Sequence, residues 1–389
     1  MIDSVKSFFR VLTSSGREAE MQERIADARR RTPVPVFWLF GKTQSGKTSI
    51  VKFLTGADDA TIGSGFKPCT RFSRSYDFPT SEAPILSFLD TRGMDEPGYD
   101  PDEDVARFDE MAHLVLVTMK VTDHAQENVA RHLETIRHAR PKRPVILALT
   151  CLHEAYPRQQ HPVEYPFKGT LNPESAPEEL KRTISEHERR FKDLVDVIVP
   201  IDLTKPDEGY DQPNYGGDVL RQVILDKLPD AYRQTFVTLD MVTGELKDAF
   251  LKQAMPTILG FSYLAAGAGA IPIPFIDLIL LPGIQMKMVS TLAEMHGQPM
   301  TGERFLELAG TLGMGMLARQ AGRELVKFIP FVGIAAGAAL AGASTFALGR
   351  AFCYYYQHAK EGHIPEPALL KQYFEKELAN AQAFWSKKP

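Results

Sequence analysis

Gly41-Lys42-Thr43-Gln44-Ser45-Gly46-Lys47-Thr48 decides how this sequence folds. The octet fits G-x-x-x-x-G-K-[ST]. Its glycines let the backbone curl until successive N–H groups face phosphate oxygens. In that pattern Lys47 reaches the β- and γ-phosphates and Thr48 holds Mg²⁺, while the next helix adds its positive end to the anion site. With Ser49, the octet supplies the expected phosphate contacts. The flanks suit the motif. Val36-Phe37-Trp38-Leu39-Phe40 is an apolar run that reads as a buried strand. Thr48 to Leu54 reads as a helix with Ile50, Phe53 and Leu54 turned inward.

A second motif follows. Ile85-Leu86-Ser87-Phe88-Leu89-Asp90 is an apolar strand ending in a carboxylate, and Asp90-Thr91-Arg92-Gly93 gives D-x-x-G. A carboxylate at a strand tip holds Mg²⁺, usually through water, opposite the loop Thr. Gly93 lets its N–H approach the γ-phosphate, so the segment senses that group. Between the motifs, Lys67-Pro68-Cys69-Thr70-Arg71 leads into a strand-like stretch ending at Phe78.

The loop, the Thr before the second strand and the D-x-x-G together resemble an Era-like GTPase of the translation-factor superclass. Gly65-Phe66-Lys67-Pro68-Cys69-Thr70-Arg71 with Leu89-Asp90-Thr91-Arg92-Gly93 resembles one bacterial subfamily, whose G domain precedes an uncharacterised helical, membrane-associated domain. The stretches Gly269 to Asp277, Leu281 to Gln285, Ile329 to Gly333 and Ala347 to Ala351 are similar to that second domain. The resemblance implies GTP/GDP and Mg²⁺ as cofactors. It assigns Thr70 the switch hydroxyl that completes the Mg²⁺ shell, with Thr61 and Ser64 as competitors. Lys47, Thr70 and Gly93 are the residues it places at the reacting phosphate, and Thr48, Thr70 and Asp90 those at the metal.

Two positions depart from the GTPase pattern. Base recognition uses [NT]-K-x-D after a late strand. Here Thr150 fits the first place, but Cys151 and His153 stand where Lys and Asp are expected, with Glu154 one residue late. The strand near 195–201 ends in Asp202 and Leu203, where the Asp202 side chain or the Leu203 backbone can meet a base. The residue after D-x-x-G is Met94 instead of a water-orienting Gln. Relatives that use potassium carry Asn at the fourth loop position, where this chain has Gln44. Slow hydrolysis completed by a second subunit or partner is the expectation.

At 389 residues, the chain has room for two or three domains of roughly 150 residues each. A net charge of −4 gives no general attraction to nucleic acid, so no nucleic-acid partner is expected. Three cysteines, at 69, 151 and 353, lack metal-ligand pairing and suit a reducing compartment. The ten histidines show no paired metal spacing on one helix. The start of the chain has no apolar core long enough for a secretory signal.

Residues 1–33 read as a helical segment with Val5, Phe8, Phe9 and Leu12 along one stripe. Residues 34–217 read as the G domain. Strands near 36–40, 71–78, 85–90, 114–120, 145–150 and 195–201 alternate with helices, which argues for an α/β fold with a mostly parallel sheet. Residues 218–389 read as an all-α, Ala/Gly-rich domain. Two uncharged spans, Gln253–Ile276 and Phe328–Gly349, have the roughly 20 residues a bilayer crossing needs. They also suit a buried helical hairpin, or one that emerges on demand. Phe305, Leu308, Leu312, Met316 and Leu317 recur at helical spacing as candidate core.

These readings predict a cytoplasmic GTP-binding protein that hydrolyses GTP to GDP and phosphate. Its nucleotide state would control a helical domain that meets a membrane, peripherally or integrally at the inner face, or a partner such as a second copy. The competing expectation is a scaffold that binds GTP or ATP, barely hydrolyses it and acts by oligomerising.

Overall fold

A computed structural model describes residues 23, 25–29, 32, 34–57, 62, 67–68, 73–91, 108, 110–204, 210, 212–229, 232–233, 235, 237, 249–270, 280–297, 330–360 and 365–385. At 67–68, 73, 249–250, 330–336, 360 and 384 it describes the backbone alone. The chain divides into two compact units, Val34–Val237 and Met1–Pro33 with Thr238–Pro389.

The first unit is built on one seven-stranded sheet. Its strands are β1 (Val36–Gly41), β2 (Lys67–Pro68), β3 (Ser73–Phe78), β4 (Leu86–Thr91), β5 (Leu114–Lys120), β6 (Val145–Thr150) and β7 (Val197–Pro200), in the order β2-β3-β4-β1-β5-β6-β7. β4, β1, β5, β6 and β7 run parallel, whereas β3 returns antiparallel along β4 and β2 pairs antiparallel with β3. β1, β5 and β6 read as near-continuous apolar runs because both sheet faces are covered. Phe37 to Phe40, Leu114 to Val117 and Val145 to Leu149 are all buried. Trp38, Phe40, Phe108, Val117, Leu133 and Leu180 belong to one core cluster on a single side of the sheet.

Among the described residues four helices accompany the sheet: α1 (Lys47–Thr55), α2 (Glu127–Ala139), α3 (Glu178–Phe191) and α4 (Gly217–Lys227). Each turns an apolar face inward, as Ile50, Val51 and Leu54 do on α1 and Val129, Leu133 and Ile136 on α2. β1 has β4 on one side and β5 on the other, so the strand order reverses at β1. The crevice beyond the carboxyl ends of strands at such a reversal is where ligands bind in open α/β sheets.

Helices α5 (Ala249–Gly269), α6 (Leu280–Met295), α7 (Pro330–Lys360) and α8 (Pro367–Trp385) form the second unit, with residues 25–29 also helical. Small residues let its helices close up. A Cβ built on Gly349 would stand 2.8 Å from Ile258 Cγ1, so α5 and α7 can cross that closely only at glycine. Two of the polar groups enclosed there pair across or along the helices: Gln285 Nε2 donates to Thr345 Oγ1 at 3.2 Å, and the Ser262 hydroxyl to Ile258 O at 2.7 Å.

Among the described residues no helix is long and apolar enough to cross a membrane. The Ala and Gly that dominate α5 and α7 add little hydropathy per residue and instead serve close helix contact. Residues 271–276 and 328–329 of the two spans, the stripe at Val5 to Leu12 and the segment Phe305 to Leu317 lie outside the described residues.

Candidate functional site

The loop between β1 and α1 is shaped by three residues with positive φ. Gly41 has φ 154° where β1 runs against β5, and a Cβ there would sit 2.4 Å from the Thr118 carbonyl oxygen. Gln44 at φ 61° and Gly46 at φ 95° complete the curl. The hydroxyl of Ser45 is buried, donates to Lys42 O at 2.8 Å and lies 2.5 Å from Thr118 Oγ1. Lys47 Nζ arches back to donate to Gly41 O at 2.7 Å and Lys42 O at 2.8 Å. No side chain caps α1. Its first N–H groups and positive end are therefore left to an anion. Thr43, Gln44 and Thr48 are exposed at the mouth, with Ser49 half-buried behind them.

Asp90 lies beside this loop because β4 pairs with β1, in the register Leu39 to Asp90. Its neighbour across the β3–β4 ladder is Arg74. The residue is half-buried, but Oδ1 is fully enclosed and makes no hydrogen bond among the described residues. Burial pushes the carboxyl up to about 6, against the lowering fields of Lys47 and Arg74. A buried carboxylate oxygen without a donor, with an exposed threonine hydroxyl on the neighbouring helix, fits a hydrated divalent cation. Thr48 and Asp90 would hold Mg²⁺, which supplies neutralisation of phosphate charge when bound. Thr70, Gly93 and Met94 lie outside the described residues.

Residues 36–151 match the family described as 50S ribosome-binding GTPase, and residues 237–382 match the Domain of unknown function (DUF697). The chain joins a GTPase domain to a helical domain of unknown function. Magnetosome membrane protein 22 of Magnetospirillum gryphiswaldense is 26% identical over 131 residues, which cover 32% of this chain and 67% of that protein. Among solved structures, apo translation elongation factor SelB from Methanococcus maripaludis aligns with 18% identity and a TM-score of 0.31, over 50% of this chain and 33% of that one. The G domain of the T. maritima FeoB iron transporter aligns with 17% identity and a TM-score of 0.28, over 50% of this chain and 98% of that one. This chain thus spans about a third of the elongation factor (33%).

The far end of the GTPase domain's crevice is built from the tips of β5, β6 and β7. Thr150 closes β6 and donates to Ser45 O at 2.9 Å and Met119 O at 3.2 Å, tying the phosphate loop to this end. Cys151 then adopts φ 55° and starts a short 3-10 turn over Leu152–Ala155. That turn brings His153 to Asp202, at the tip of β7: the backbone N–H and the Nδ1 of His153 each lie 2.7 Å from Asp202 Oδ2. Leu203 is half-buried and next in the chain. Thr150, Cys151, His153, Asp202 and Leu203 thus share one corner. Glu154 does not stand in as an open carboxylate. Its two oxygens accept from Lys120 Nζ and Thr122 Oγ1, each at 2.8 Å. Burial works to raise its pKa, but those two bonds hold it below the usual range.

Sequence reasoning missed Thr118, Lys120, Thr122 and Asp123. Lys42 Nζ pairs with Asp123 at 2.9 Å, so the β5 tip braces the second residue of the phosphate loop. The signal was legible: a buried strand ending Met119-Lys120-Val121-Thr122-Asp123 places polar groups on the same sheet edge as the loop.

Proposed function

We propose that this chain is an Era-like, slow GTPase whose nucleotide state controls its helical unit. The observation that carries the reading is the arrangement of Lys47 over the loop, Thr48 at the mouth and the donor-less Asp90 oxygen beside them. Lys47 moves from the loop carbonyls to the β- and γ-phosphates, Thr48 and Asp90 hold Mg²⁺, and Gly93 and Thr70 respond to the γ-phosphate. Met94 supplies no hydrogen bond to water, which supports a low basal rate raised by a second copy or a partner.

The helical unit is the effector in this reading. Similarity to a magnetosome membrane protein supports a membrane-adjacent task. With no crossing helix among the described residues, the contact we propose is peripheral, at the inner face. The test is turnover by the full chain at rising protein concentration, with and without anionic liposomes. GTP should be cleaved in preference to ATP, and turnover per molecule should rise with concentration. More protein should sediment with lipid in the GTP state than in the GDP state, because a ligand shifts an equilibrium only through unequal affinity for its two states. Tight GTP binding with no turnover at any concentration would favour the scaffold reading, which Met94 also permits.

A further inference from the structure

We propose that the base pocket selects 6-oxopurine nucleotides through a lone pair on His153 Nε2, and that it does not read the 2-amino group of guanine. The inference rests on the GTPase reading above and specifies the nucleotide that site takes.

Three observations place the acceptor. First, Asp202 is locked. Its N–H donates to Tyr215 O at 2.8 Å, its side chain is only 3% exposed, and Oδ2 accepts both the N–H and the ring of His153. The oxygen that faces this turn, Oδ2, is therefore already taken. Second, Glu154 has committed one oxygen to Lys120 and the other to Thr122. Third, Nδ1 of His153 faces Asp202 Oδ2 at 2.7 Å, so in the neutral ring Nδ1 carries the proton and Nε2 the lone pair. Nε2 makes no hydrogen bond among the described residues, and the side chain is 19% exposed. The Tyr210 ring, 5.1 Å away and tilted by 51°, packs against the imidazole and helps fix its plane.

The position suits a nucleobase. His153 stands at the carboxyl ends of β6 and β7, and Thr150, three residues earlier, is bonded to the phosphate loop at Ser45 O. A nucleotide with its phosphates on that loop extends its base toward this corner. The Leu203 N–H makes no hydrogen bond among the described residues and is the matching donor for a 6-oxo group.

The chemistry follows from counting acceptors. Guanine and hypoxanthine both present N1–H beside O6, which meets one acceptor and one donor. Adenine presents a lone pair at N1, and two facing lone pairs repel. A carboxylate offers two oxygens and can accept from N1–H and the 2-amino group together. An imidazole offers one nitrogen, so the 2-amino group has no partner here and its loss costs little. Sites that do hydrogen-bond a group reject the analogue lacking it strongly. The pocket is therefore a filter for 6-oxopurines and not for guanine alone.

The test titrates the full chain, with Mg²⁺, against ribose-labelled fluorescent GDP, IDP and ADP. GDP and IDP should bind within about threefold of each other, with ADP roughly 30-fold weaker or more. His153→Ala should weaken GDP and IDP together by about tenfold and narrow the gap to ADP. Replacing both partners (H153D with D202S) supplies two oxygens and a hydroxyl to orient them, and should make GDP at least about tenfold tighter than IDP. Wild-type protein that already prefers GDP to IDP by tenfold overturns the proposal, as does a His153→Ala variant that keeps full GDP affinity and rejection of ADP. Should the double variant not fold, the wild-type ratio and His153→Ala decide alone. Absence of binding by all three nucleotides would sink the GTPase reading instead, which separates the two failures.

Discussion

The two ends of the nucleotide crevice are built on different terms. At the phosphate end the work is done by the main chain: the N–H groups of a curled loop, an uncapped helix start and one lysine. At the proposed base end the acceptor is a side chain, His153 held by Asp202, while Glu154 is tied to Lys120 and Thr122. Backbone recognition constrains which residues permit the curl, so it leaves a fixed spacing in the sequence. Side-chain recognition can exchange one donor–acceptor pair for another, so its sequence mark drifts while the place in the fold stays. Thr150 belongs to both ends, one hydroxyl touching the loop and the β5 tip.

That contrast can be tested hardest at Lys47. Lys47→Ala should cost roughly 100-fold or more in affinity for every nucleotide tried, since charge-assisted bonds to phosphate are worth about 1.5–3 kcal/mol each. Circular dichroism should stay unchanged. A loss that depended on the base would mean the two ends are not separable. Gly41→Ala comes next. Its Cβ would run into Thr118 O, and relief requires β1 and β5 to part, so a destabilisation of about 2–3 kcal/mol should appear in urea unfolding.

Asp90→Asn sharpens the phosphate side with an opposite sign. The folded carboxyl sits at about 6, above its usual 3.8, so the nucleotide-free protein gains stability from it at low pH and loses that gain as pH rises from about 4 through 6. At pH 7.5 the neutral amide should therefore stabilise nucleotide-free protein, by up to about 3 kcal/mol, seen as a higher melting point. The same variant should bind GTP with little response to Mg²⁺. A lower melting point would show that the carboxylate is satisfied in some other way. Smallest of all, Thr150→Val keeps the shape and removes one hydroxyl. It should weaken GDP and IDP equally, by about three- to tenfold, roughly 1 kcal/mol for one buried bond. Unequal losses would assign Thr150 to the base end alone.

What the sequence disclosed follows the same line. The parallel strands were legible because Phe37 to Phe40, Leu114 to Val117 and Val145 to Leu149 are apolar without interruption. The pair Lys67–Pro68 was not, because two residues carry no period and become a strand only when β3 supplies the partner. The phosphate loop could be read residue by residue. His153 and Asp202 could each be nominated, yet their pairing depends on the left-handed turn at Cys151 and on β6 lying beside β7, which the local pattern does not encode. In the helical unit, length and lack of charge left a bilayer crossing and a buried hairpin both open. The Gly349–Ile258 approach and the Gln285–Thr345 bond show helices packed on one another, a contact that no local pattern encodes.

Lys47 resting on the carbonyls of Gly41 and Lys42 has a kinetic consequence. The ammonium closes the loop into a ring before any ligand arrives, so the anion cradle is already set. An incoming nucleotide meets a phosphate loop that is already curled and exchanges one set of lysine partners for another. Such preformed receptors associate at rates set by diffusion and orientation. Nucleotide discrimination at this loop should then lie in how long each nucleotide stays, and not in how fast it arrives.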